Sequence, residues 1–96
     1  MSEIVRSTQD WEAEIGRRIR LVRRQRGMTQ QDLADHANIS RSAVKYVESG
    51  SGSTLSTFIG IIRALELDAT FDQIFAAVPT ISPIAIYRAA NRSSTK

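Results

Sequence analysis

The sequence predicts an all-α protein, a compact bundle of five helices with a short C-terminal extension. Three observations carry that reading. Apolar residues recur at helical spacing in successive short segments. Serine or threonine caps stand in front of most of those segments. No alternating strand pattern occurs before residue 80. A chain of 96 residues is at most one domain. Its core is modest, since a chain this short buries only ~60–65% of its unfolded surface.

The first helix is predicted to begin after Ser7 or Thr8, with acidic residues in its first turn. Trp11, Ile15, Ile19 and Val22 make one apolar stripe, and the helix ends near Arg26, with Gly27 as the residue beyond the cap. Thr29 caps the second helix. Asp32 completes a capping box, and Met28 and Leu33 form a hydrophobic staple across it. That helix runs through Leu33, Ala34 and Ala37 and stops near Asn38. A third begins at once from Ser40, with Ile39 and Val44 repeating the staple and Gly50 ending it. Two capped helices with about three residues between them form a helix-turn-helix.

Ser49 to Ser53 is a Gly/Ser connection, and with no Gly-Lys-Ser/Thr behind it a phosphate loop is the poorer reading. The fourth helix is expected from Thr54 to about Glu66, with Leu55, Phe58, Ile59, Ile62 and Leu65 as its core face. Thr70 and Gln73 make a capping box for a short fifth helix. Pro79 and Pro83 then break the pattern. Residues 84–87 read equally as part of a short helix opened at Ser82-Pro83 or as a short strand, and 91–96 as a disordered end. The domain boundaries follow: a helix-turn-helix domain over 1–78, the motif itself over 29–49, and an extension over 79–96.

Composition removes several function classes. Without cysteine there is no disulfide, thiolate zinc site or cysteine nucleophile. His36 is the single histidine, expected at the surface, so multi-histidine metal sites are excluded, and no cofactor is expected. No serine has a base placed near it in sequence, and no constellation supports an enzyme. The longest apolar run, Ile74 to Val78, is too short to cross a bilayer. The first residues lack a basic-then-apolar signal pattern, so a cytoplasmic, nucleoid-associated protein is expected.

Charge layout points to a partner. The net charge is +3, but residues 17–26 alone hold six arginines: Arg17, Arg18, Arg20, Arg23, Arg24 and Arg26. Such a block suits an anionic partner such as nucleic acid, or else is a solvated face. On the third helix, at ~100° per residue, Val44 and Val47 point together toward the core. Arg41, Ser42, Lys45, Tyr46 and Ser49 occupy the other half. By itself such a face reads as a solvated polar surface. In the helix-turn-helix setting it enters a major groove. There Arg41 suits guanine, worth ~1–3 kcal/mol of discrimination, Ser42 and Tyr46 reach base edges, and Lys45 reaches a base or a phosphate. Arg17, Arg20 and Arg24 face solvent or phosphate, with Arg17 the expected contact. Thr29, a cap first, Ser49 and Ser51 are the other expected phosphate contacts beside Gln30. Arg23, four residues after Ile19, faces inward.

Residues 17–67 resemble the lambda-repressor-like, Cro-like (XRE) family of helix-turn-helix regulators. The resemblance rests on Arg23, the run Gly27-Met28-Thr29-Gln30-Gln31-Asp32-Leu33-Ala34, the turn Asn38-Ile39-Ser40, and Val44-Lys45-Tyr46-Val47-Glu48-Ser49-Gly50. Asn38 stands where the family usually has glycine, and asparagine also tolerates the left-handed conformation. The resemblance implies double-stranded DNA as partner, Gln30 on a phosphate, and a structural ion pair between Arg23 and Glu48. A single helix-turn-helix reads few base pairs, so a homodimer on a palindrome is expected, with half-sites ~34–36 Å apart. The stretch from Ser53 to Leu67 is similar to HipB-type antitoxins, which implies a toxin protein as a second partner. Exposed Ile81, Ile84, Ile86 or Tyr87 would carry such a contact, or else pack on the bundle. Trp11 is expected in the core or at a dimer interface.

Overall fold

The computed structural model describes residues 6–76. Five helices occupy them: α1 (Thr8–Gln25), α2 (Gln30–Ala37), α3 (Arg41–Glu48), α4 (Leu55–Ala64) and α5 (Thr70–Ala76), with no strand among the described residues. The fold is all-α, as the capping and periodicity signals imply. Residues 77–96, and with them the question of helix or strand around Ile84, lie outside the described residues.

Local chemistry sets the helix starts. Ser7, Thr29, Ser40 and Thr54 are the N-caps of α1 to α4, each with extended backbone and a side-chain oxygen accepting an N–H from the first turn. At Ser7 and Thr29 the box is reciprocal, with Asp10 and Asp32 accepting from the cap backbone. The helix ends are as uniform. Met28 N–H donates to Arg23 O and Gly27 N–H to Arg24 O, a Schellman closure with Gly27 at φ 70°. The same pair of bonds closes α2 around Asn38 (φ 57°), α3 around Gly50 (φ 83°) and α4 around Glu66 (φ 61°).

One apolar cluster joins the first four helices. Ile19 of α1, Leu33 and Ala34 of α2, Val44 and Val47 of α3, Ile61 of α4 and Leu65 behind it are buried. Both expected staples contribute, since Met28 and Ile39 pack against this cluster. α1 lies on α3, and α2 contacts both α3 and α4. α5 is attached by an edge-on contact of Phe71 with Phe58, the ring centroids 5.9 Å apart.

Three expectations are corrected. Trp11 is 45% exposed and so is not a core residue, with Arg6 4.7 Å from its ring centre. On α4, Leu55 is 73% and Ile59 37% exposed, while Ile61 is fully buried. This helix is apolar on nearly all sides, so spacing alone selects the wrong edge of the stripe. Thr70 is the first residue of α5 and not its cap; the turn before it closes through Thr70 N–H to Leu67 O and Phe71 N–H to Asp68 O.

Candidate nucleic-acid interface

Burial of Val44 and Val47 turns the other face of α3 outward. Arg41, Ser42, Lys45, Tyr46 and Ser49 are all exposed, Tyr46 to 60%. Ser42, Lys45, Tyr46 and Ser49 share one shallow depression. Ser42 and Tyr46 also border a groove that runs to Ser53, Thr54 and Thr57 at the start of α4. Arg41, the first residue of α3, faces a different recess. It shares a cleft with Arg24, Gly27, Thr29, Gln30 and Gln31, where the end of α1 meets the start of α2. Neither Arg24 nor Arg41 has an acidic partner among the described residues.

The floor of that cleft is a buried charge network. Arg23 is 7% exposed. Its Nε donates to Glu48 Oε2 at 2.6 Å and its Nη2 to Glu48 Oε1 at 3.0 Å, a bidentate pair. Its Nη1 donates to Met28 O at 2.8 Å. Gln30 Nε2 donates to the same Glu48 Oε1 at 3.1 Å. One carboxylate therefore joins the last turn of α1, the first turn of α2 and the end of α3. The side chain of Gln30 is half-buried and turned to Glu48, rather than wholly outward as its expected phosphate role implies.

The rim of the cleft has donors to spare. Thr29 Oγ1 accepts from Asp32 N–H at 2.9 Å, which leaves its own hydroxyl hydrogen unused. The backbone N–H groups of Gln30 and Gln31 have no acceptor among the described residues. Thr29 in turn holds the Asp32 carboxyl below its usual range, chiefly through its backbone N–H. Asp32 therefore stays ionised in the first turn of α2.

The remaining candidates are engaged elsewhere. Arg17 Nη2 is 2.7 Å from Glu14 Oε2, and Arg18 Nε binds the same oxygen at 2.5 Å. Those two guanidiniums pull the Glu14 carboxyl down to about 2. Ser49 Oγ donates to Tyr46 O at 2.8 Å and lies 2.9 Å from Ser51 Oγ. His36 is exposed, its Nδ1 2.8 Å from Asp32 O. No group of acidic or histidine side chains able to hold a metal occurs among the described residues.

One residue that positions the site escapes a reading by patches and faces. Gly16 is buried where α1 crosses α3, so close that a Cβ there would overlap Val47 O and stand 2.9 Å from Glu48 O. Its signal is a lone glycine inside a strong helical pattern, which costs ~1 kcal/mol relative to alanine unless close packing requires it. Arg24, rather than Arg17, lines the cleft with Arg41. One turn separates Arg17 from Arg20 and two from Arg24, and only the partner helix decides which of them meets α2.

Two capped helices joined by three residues, an outward polar face on the second, and a cationic cleft beside it define a helix-turn-helix protein, a class built to bind DNA. The family model described as "Helix-turn-helix domain" matches residues 14–70, more than half of the chain, and the chain belongs to that family. No curated protein matches it.

Proposed function

We propose that the protein is a sequence-specific double-stranded DNA-binding transcriptional regulator, a repressor acting as a dimer on a palindromic operator. The observation that carries this reading is the pairing of two surfaces on one motif. The outward face of α3 offers Ser42, Lys45 and Tyr46, and Arg41 stands between that face and the cleft shared with Arg24. A recognition helix reads base edges while cations and helix N-termini grip phosphates.

In this reading Arg41, Ser42, Lys45 and Tyr46 contact bases. Thr29, the free N–H groups of Gln30 and Gln31 and Arg24 contact phosphates, and Ser49 and Ser51 join them once their hydroxyls turn away from Tyr46 O and from each other. Arg24 is preferred to Arg17 because the Arg17 guanidinium is held by Glu14. The Gln30 side chain acts through its remaining amide hydrogen, the other being held by Glu48. The domain spans 1–78, and such a protein works at the nucleoid. A second reading, an antitoxin that also binds a toxin protein, draws on the exposed Ile74 and Phe75 of α5.

Binding of the protein to its own upstream DNA, titrated against salt, tests the proposal. Wild type is expected to prefer that DNA over random sequence. Arg41→Ala is expected to lose ~1–3 kcal/mol of discrimination while keeping a steep salt dependence. Arg24→Ala is expected to weaken binding to all sequences and to flatten the slope by about 0.9. Absence of any preference at every salt concentration refutes the regulator reading. Co-purification with a neighbouring gene product would then favour the second.

A further inference from the structure

We propose that the groove between α1 and the start of α4 is the docking site of the chain's own C-terminal segment, residues 81–88. This inference is independent of the DNA reading, because the groove is lined by other residues than the proposed DNA contacts. Ile15, Val47, Leu55 and Phe58 form its apolar walls, and Glu12 stands at its edge. Its volume is about 270 Å³. That is below the ~300–1,000 Å³ of small-molecule pockets and suits a few inserted side chains. Leu55 on its wall is 73% exposed, a large apolar residue that nothing among the described residues covers.

Three features select the occupant. The first is reach. Phe71 touches Phe58, which lines the groove, so the start of α5 lies one side chain away from it. The end of α5 at Ala76 lies only about 8 Å further along the helix axis. Seven residues lie between Ala76 and Ile84, eight chain steps in all. In extended form they span up to ~26–29 Å, more than enough to return.

The second feature is composition. Ile81, Ile84, Ile86 and Tyr87 crowd one short stretch of the tail. The third is charge. Residues 79–96 carry Arg88, Arg92 and Lys96 and no acidic residue. Glu12 is half-buried at the groove edge without a cationic partner among the described residues. With Ile84 and Ile86 seated against Leu55 and Phe58, Arg88 comes to Glu12. A tether this short gives the tail a local concentration of the order of millimolar, which favours the chain's own groove over that of a second copy.

The absence of native cysteine makes the test clean. Leu55→Cys is combined in the full chain with Ile84→Cys or Ile86→Cys, and oxidised mildly at low protein concentration. The control pairs the same tail positions with Asp68→Cys, an exposed site outside the groove. The expected result is an intramolecular disulfide in monomeric protein, formed at least about tenfold faster than in the control, because both sites share the tether and only seating in the groove distinguishes them. Reversing the charge in Glu12→Arg is expected to slow it, and adding Arg88→Glu to restore it. Equal rates at Leu55 and Asp68 would overturn the proposal. So would cross-links found only between chains, which would make a second copy the occupant.

Discussion

Replacing Gly16 by alanine isolates the contact that sets α3 against α1. Alanine gains ~1 kcal/mol of helix propensity over glycine. Against that, the new methyl would overlap Val47 O and stand 2.9 Å from Glu48 O, both backbone atoms that cannot turn aside. Ordinary carbon–oxygen contact is about 3.3–3.6 Å, so relieving the Val47 O overlap moves α1 back by ~1 Å or slightly more. A gap of that size forfeits about half of each dispersion contact it opens. Overpacking costs ~1–3 kcal/mol, and two clashes with backbone atoms put this site at ~2–3 kcal/mol. A net loss of ~1–2 kcal/mol follows, or a Tm lower by ~4–16 °C for a domain of this size. Gly60→Ala on α4 is the matched control. It makes the same substitution inside a helix, but its methyl would stand 3.3 Å from Ala37 O, a distance a small shift can absorb. Thermal and urea unfolding of both variants, followed by circular dichroism, decides the matter. If Gly16→Ala is as stable as Gly60→Ala, the close approach is not what fixes this crossing.

Glu48→Ala is expected to cost ~3–5 kcal/mol in urea unfolding, because it strands the buried Arg23 guanidinium without its carboxylate. Thr29→Ala should lose ~1 kcal/mol by removing the acceptor for Asp32 N–H, and Thr70→Ala far less, since Thr70 is not a cap. Glu66→Gly relieves a left-handed residue at φ 61° and should raise Tm slightly; the Arg26 contact it removes is long, at 3.7 Å, and exposed. Acid should destabilise the fold through Glu14, whose carboxyl sits at about 2 against an ordinary 4.5. A folded value below the unfolded one gives stability that is present above pH 4.5 and lost as pH falls toward 2, so Glu14→Gln should show a shallower fall of Tm over that window.

What the sequence makes legible here is whatever is decided within four residues. The caps at Ser7, Thr29, Ser40 and Thr54 and the left-handed closures at Gly27 and Asn38 are local hydrogen-bond chemistry, and they are where the residue types place them. Legibility fails where a neighbouring helix chooses. The apolar residues of α4 surround its axis, and only contact with α2 selects Ile61 over Ile59. Trp11 belongs to the stripe of α1 yet is 45% exposed, which its spacing does not reveal. The division of Arg41 from Lys45 and Tyr46 into separate recesses depends on the distance between α1 and α2, which no periodicity contains.

The placement of Glu48 ties stability to the geometry of the candidate interface. The turn of three residues joins α2 to α3, but a turn alone leaves their relative rotation soft. Glu48 fixes it by accepting from Gln30 on one side and Arg23 on the other, while Arg23 also holds Met28 O just before the α2 cap. The same crossing is pinned from behind by Gly16, whose missing side chain lets α1 rest on the carbonyls of Val47 and Glu48. Cap, cleft and outward helix face are therefore set by one cluster of contacts rather than by three separate ones. Substitutions in that cluster should disturb the orientation of Arg41 and Gln30 together with the fold, whereas changes at Lys45 or Tyr46, which no buried contact uses, should leave unfolding curves unchanged.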